Sequence, residues 1–260
     1  MRLRMRFWMI AFMLMPVGAL AQADDKTVSS QKPAVVRTIV LGAEDSWPPF
    51  SNADGTGLSN SIVREAFGLR GIKVLFQVAP YARLLRMTEQ GEIVGLFNVT
   101  KEPSTEKVYH FGKQRLFRAT TGYYYHVGQP LKAGNFRELV NNERIGLMLG
   151  YEYGPFILQN DKVRTVRVNS QENLVHMLQR GRLDAVIMFD AIAEVVLAKT
   201  QAQQEIRRAF DGEHSDIYVA FSRKHPEAGM LAEELDAGLI ALRESGRLAE
   251  ILRGQAEIGD

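Results

Sequence analysis

Three places in the chain put charged, aromatic and hydrogen-bonding side chains where an apolar run gives way to a loop. Glu44-Asp45-Ser46-Trp47-Pro48-Pro49-Phe50 joins a carboxylate, two large rings and a diproline. Prolines hold such a loop in one shape. The segment therefore reads either as a ligand wall, with an aromatic face and a charge for a cation, or as a structural turn with Trp47 packed inward. Phe97-Asn98-Val99-Thr100 ends a second run with two hydrogen-bonding side chains, and Asp190 ends a third, Leu183 to Phe189. Asp190 reads as the cap of the next helix, as a partner for a ligand amine, or as both. Two more segments open helices. Pro80-Tyr81-Ala82-Arg83 offers Arg83 as an anion clamp or a plain surface charge, and Gly150-Tyr151-Glu152-Tyr153-Gly154 forms a turn whose backbone N–H groups can face an anion.

Other chemistry is missing. The five histidines stand apart at positions 110, 126, 176, 214 and 225, and the chain has no cysteine. That excludes HExxH and cysteine-based zinc patterns and a disulfide framework. GxSxG, a P-loop and GxGxxG are also absent. No metal or cofactor is expected, and the chain is expected not to be an enzyme. An enzymatic alternative rests only on Glu44 or Asp190 serving as a general acid after burial raises its pKa.

Short apolar strands alternate with amphipathic helices, which predicts an α/β sheet. Strands are expected at 37–43, 72–78, 93–99, 107–111 and 118–127, with helices at 59–69 and 80–90. A second unit follows, with strands at 144–149, 163–168, 183–188 and 216–222. Its helices are expected at 153–159, 171–180 and 191–199, with Ser170 as the cap of the middle one. Leu231, Leu235, Leu239 and Leu242 stand at helical spacing in a C-terminal helix, and Gly246 separates it from a last short one. The expected organisation is lobe 1 over 37–123 and 219–255, and lobe 2 over 124–218. Two extended crossings near 118–127 and 216–222 form a hinge, with a ligand cleft between the lobes.

The chain start reads as an export signal over residues 1–21. Arg2, Arg4 and Arg6 precede the apolar run Phe7 to Leu14, and Ala19-Leu20-Ala21 offers a cleavage site. Cleavage after Ala23 is the alternative. The apolar run falls short of the ~20 residues of a spanning helix. Residues 22–36 are a polar lead-in. Removing the leader takes three arginines from 32 basic residues set against 30 acidic ones, so the net charge drops from +2 to about −1. There is no electrostatic case for nucleic acid. The mature protein is expected in the periplasm, as a monomer.

Together these segments resemble the extracellular solute-binding proteins of family 3, the periplasmic polar amino-acid binding type, as a divergent member. The resemblance spans roughly residues 37 to 253. It rests on Glu44 to Phe50 followed by Asp54-Gly55-Thr56-Gly57, on Gly91 to Phe111, and on Gly181 to Asp190. It implies a two-lobed periplasmic binding protein-like fold of type II that captures a small polar solute, an amino acid or related compound, by hinge closure for an ABC-type inner-membrane permease. A membrane sensor partner is the alternative, and a dehydratase-like enzyme on the same fold a third reading. The implied ligand contacts are Glu44, Trp47, Phe50, Arg83, Asn98, Thr100, Tyr151 and Asp190, the last facing an α-amino group. The sequence departs from the family pattern at Thr105, where members that bind amino acids place an arginine on the α-carboxylate. Arg83 or Lys101 would have to compensate, or the ligand is not an ordinary α-amino acid.

Overall fold

Burial alternates along the stretch after Arg37 until it gives way to a continuous buried run, Leu41 to Glu44. That is the signature of a strand entering the middle of a sheet covered on both faces. The computed structural model describes residues 37–254; the export signal, its cleavage sites and the lead-in lie outside them. In chain order the elements are β1 (Arg37–Glu44), β2 (Ser46–Trp47), β3 (Ser51–Asn52), α1 (Leu58–Gly68), β4 (Ile72–Ala79), α2 (Tyr81–Gln90), β5 (Gly95–Thr100), α3 (Pro103–Val108), β6 (Tyr109–Phe111) and β7 (Phe117–His126). A short 3-10 turn, Phe136–Glu138, leads into β8 (Arg144–Met148), α4 (Gly154–Leu158), β9 (Arg164–Val168), α5 (Gln171–Gln179), β10 (Ala185–Phe189), α6 (Asp190–Lys199), β11 (Ile206–Ser222), α7 (Ala228–Glu244) and α8 (Arg247–Arg253).

Nine of the described strands share one sheet, in the order β4-β1-β5-β11-β7-β10-β8-β9, with β6 also on β11. Each flank is a parallel trio: β4-β1-β5 on one side and β9-β8-β10 on the other. Between them β7 and β11 run antiparallel and carry the chain from one trio to the other. They are the two expected crossings. In both trios the first strand of the unit lies in the middle, so the chain winds away from it in opposite directions. The crevice at the carboxyl ends of such strands is where open α/β sheets bind ligands. Glu44 and Thr100 end β1 and β5, Met148 and Phe189 end β8 and β10, so the topology assigns the site before any side chain is considered.

Two elements depart from the expected pattern. The extended segment expected at 107–111 starts only at Tyr109, because Pro103 opens a helical turn that runs to Val108. The last crossing begins at Ile206, ten residues earlier than expected. Residues 207–215 show no apolar alternation because most of them face solvent, and their pairing with β7 shifts register twice.

The α7 leucines pack on α1, as their spacing requires. The contact is close at Gly238, where a Cβ would stand 2.2 Å from the Ala66 carbonyl oxygen. Gly238→Ala is expected to cost about 3 kcal/mol through the forced separation of the helices, read as a lower urea midpoint at unchanged slope. No helix among the described residues is long and apolar enough to cross a membrane.

Candidate functional site

Glu44 is the last residue of β1 and only 1% exposed. Its Oε1 accepts a 2.5 Å hydrogen bond from the Tyr151 hydroxyl, which reaches over from the turn after β8. Beside it the Tyr81 hydroxyl, from the start of α2, donates to Glu152 Oε1 at 3.0 Å. The two tyrosine rings meet edge-on at 5.2 Å. Two tyrosine–carboxylate pairs thus bridge the trios from opposite sides. The bridge depends on the close pass of Gly150, whose φ is +91° and whose Cα hydrogen faces Ala82 of α2 so tightly that a Cβ would sit 3.0 Å from the alanine methyl.

Trp47, Tyr81, Asn98, Thr100, Tyr151, Glu152 and Phe189 line a narrow pocket of about 10 Å³. A second hollow of about 20 Å³ lies beyond Glu152, lined by Tyr153, Phe156 and Glu213 among others. Asn98 enters the pocket through a defect in its strand. Val99 pairs with Tyr218 and Phe97 with Val219, so Asn98 is the extra residue of a bulge, held at φ +69°. A bulge re-aims one side chain, and asparagine tolerates this left-handed conformation better than most residues. Its side chain is buried and neither Nδ2 nor Oδ1 has a partner.

Burial dominates the electrostatics. It pushes the Glu44 carboxyl up to about 8; the Tyr151 hydrogen bond works against it, and Asp45 and Glu152 add to it. Glu152 is likewise pushed up to about 8 by burial, opposed by the Tyr81 hydroxyl and reinforced by Glu102. The Tyr81 and Tyr151 hydroxyls rise well above the usual tyrosine range, first from burial and then from the neighbouring carboxylates. Below about pH 8 burial therefore holds both carboxyls largely protonated.

The structure brings together Glu44, Trp47, Asn98, Thr100 and Tyr151. Trp47 does both things its sequence context allows. It packs inward on Phe50, Phe117 and Phe189, at centroid distances of 5.0, 6.0 and 5.1 Å, and it also lines the pocket; its buried indole N–H has no partner. Phe50 belongs to the core instead, stacked on Phe117 at 4.5 Å. Arg83 is exposed on α2 and does not line the pocket. Asp190 is the first residue of α6 but is turned away, accepting from Arg208 at 2.9 and 3.0 Å and from the Tyr124 hydroxyl at 2.7 Å. Thr105 has become a structural lock: its hydroxyl accepts from the Glu102 N–H at 3.0 Å and donates to the Thr100 carbonyl at 2.8 Å. Lys101 lies over the Phe111 and Tyr218 rings and pairs with Glu106, so it does not replace a missing arginine. Tyr81, Glu152 and Phe189 line the pocket without having been singled out from sequence. The signal for Glu152 was its place between two tyrosines and two glycines in one turn. Among the described residues no group of three or more His, Cys, Asp or Glu is arranged to hold a metal ion.

No protein-family model and no curated protein matches the sequence. Solved structures do match. A mutant of ArgBP from T. maritima superimposes with a TM-score of 0.73 at 18% identity, over 84% of this chain and 94% of that one. The fold is the periplasmic binding protein-like fold of type II. A histidine kinase sensor domain with similarity to periplasmic binding proteins shares it, at a TM-score of 0.74 and 15% identity over 84% and 95% of the two chains. So does an amino acid ABC transporter substrate-binding protein from Streptococcus pneumoniae bound to L-arginine, at 0.70 and 17% over 84% and 93%. In this fold the pocket of the present chain sits at the switch points of both parallel trios, with its walls supplied from each side.

Proposed function

We propose that the protein is a periplasmic solute-binding protein that captures a small polar solute by closing two lobes, 37–123 with 219–255 and 124–218, about β7 and β11. It carries out no chemistry on the solute. The observation that carries this reading is the bridge from Tyr151 to Glu44 across a pocket walled from both trios: a ligand held there links the two sides and favours the closed arrangement. The binding proteins among the solved neighbours support an ABC-type permease as the partner. The histidine kinase sensor domain, equally similar in fold, supports a second reading in which the closed form signals to a membrane protein. Both need the same pocket.

Native mass spectrometry of freshly purified protein tests the reading. The expected result is a non-covalent small-molecule adduct that is lost on partial unfolding and dialysis, with a fall in melting temperature, because a ligand that binds only the folded state stabilises it. Protein that carries no adduct, and whose melting temperature is unmoved by its own dialysed small-molecule fraction, overturns it.

A further inference from the structure

The pocket has two carboxylates and no counter-charge. Glu152 lines it directly and Glu44 reaches it through Tyr151. Neither the pocket nor the hollow beyond Glu152 is lined by a lysine, arginine or histidine among the described residues. Arg208 pairs with Asp190 and Asp211, Lys101 with two rings and Glu106, while Arg83 and Arg167, the latter acting on Tyr153 from outside, are exposed. Glu213, on the far wall of the adjoining hollow, adds a third carboxyl.

An independent observation marks the same space as built for a ligand. Asn98 is 6% exposed and Trp47 1%, yet Asn98 Nδ2 and Oδ1 and Trp47 Nε1 have no partner. Buried polar atoms are almost always paired, and both residues that carry these unpaired ones line the pocket. The rest of the wall is aromatic: Trp47, Tyr81, Tyr151 and Phe189.

The geometry points to a small cationic amine or guanidine that carries no carboxylate of its own as the solute. This rests on the solute-binding reading above and narrows it. A desolvated carboxylate is costly until a cation pairs with it, and ring faces attract the same cations. A ligand carboxylate would instead stand beside the half-buried Glu152 and near the buried Glu44 with no cation lining the pocket to neutralise it. The two places at which an α-amino acid would be held are also engaged within the protein, Thr105 by the Glu102–Thr100 turn and Asp190 by Arg208.

Titration calorimetry of the purified protein with agmatine, cadaverine, arginine, lysine and glutamine tests the assignment. Agmatine or cadaverine is expected to bind at least about tenfold more tightly than the amino acid of the same side chain. Glu152→Gln, which keeps the shape and removes the charge, is expected to weaken that binding by about tenfold or more. Where that variant fails to fold, the unmodified protein gives a second readout. The groups around the two carboxyls are Asp45, Glu102, Tyr81, Tyr151 and Tyr153, so pairing with a cation ionises Glu44 and Glu152. Binding at pH 7 should therefore release protons, visible as a heat that changes with the buffer's ionisation enthalpy. Arginine, lysine or glutamine binding as tightly as the amines, or binding without proton release, overturns the assignment and leaves solute binding intact. Silence from all five probes also overturns it, while the adduct measurement decides the binding reading separately.

Discussion

The ligand-free protein is expected to lose stability as the pH rises from 5 to 9, and Glu44→Gln is expected to remove a large part of that loss. Glu44 titrates at its ordinary 4.5 in the unfolded chain and at about 8 in the folded one. Between those values the folded state holds a proton that the unfolded state has released, so stability falls with rising pH. The contribution is complete below about 4.5 and is gone above about 8. A shift of this size corresponds to about 4–5 kcal/mol for a fully buried group. Glu152 acts in the same direction, and the two titrate as a coupled pair. Glutamine keeps an acceptor for the Tyr151 hydroxyl and has nothing to ionise. Glu44→Gln should therefore match the parent near pH 5 and exceed it by about 2–4 kcal/mol at pH 9, in urea unfolding followed by circular dichroism. Parallel pH profiles for the two proteins would show that Glu44 is not buried as described. A bound cation reverses the parent's trend, because it makes the ionised form the stable one.

Trp47→Ala is expected to cost about 3–5 kcal/mol. The indole is 1% exposed and touches Phe50, Phe117 and Phe189, which come from the loop after β1, the start of β7 and the end of β10. Removing it opens a cavity where the two trios meet, and closely packed surroundings relax only in part. Trp47→Phe keeps most of the packing and should cost about 1–2 kcal/mol, while it deletes the unpartnered indole N–H at the pocket wall. The pair separates the two roles: the alanine variant loses stability and binding together, and the phenylalanine variant loses mainly binding. Equal loss of binding and stability in both variants would assign Trp47 to the core alone. Trp8 is the other of the two tryptophans in the chain, so in protein without its first 21 residues the emission of Trp47 alone reports on the pocket.

The fold was legible because most of its elements carry a period. α1, α5 and α7 were visible from apolar residues three and four apart, and Ser170 does cap α5, accepting from the Asn173 N–H at 3.2 Å. Where the period was absent the reading stopped. The first half of β11 is exposed on both faces, so nothing in its composition distinguishes it from a loop. At α3 a proline and a capping pair outweighed the local preference for an extended chain.

The candidate site was legible in a different way. Loop position and side-chain type singled out Glu44, Trp47, Asn98, Thr100 and Tyr151, all of which the fold gathers at one crevice. The same criteria also proposed Arg83, Phe50 and Asp190, which the fold turns outward, into the core and onto Arg208. They passed over Tyr81, Glu152 and Phe189, which it turns in. Residue type and strand-end position are local properties and can be read from the chain. Direction and pairing are not: Asp190 is neutralised by an arginine eighteen residues away, and Glu44 is capped by a tyrosine 107 residues away. By itself, then, the sequence determined the α/β alternation, the strand-end loops and the lack of metal-ligand or nucleophile motifs. Only the tertiary structure decided that Glu152 lines an aromatic pocket with Glu44 behind Tyr151 and no cation in the lining, because charge balance in a site depends on which side chains the fold brings within a few ångströms of each other.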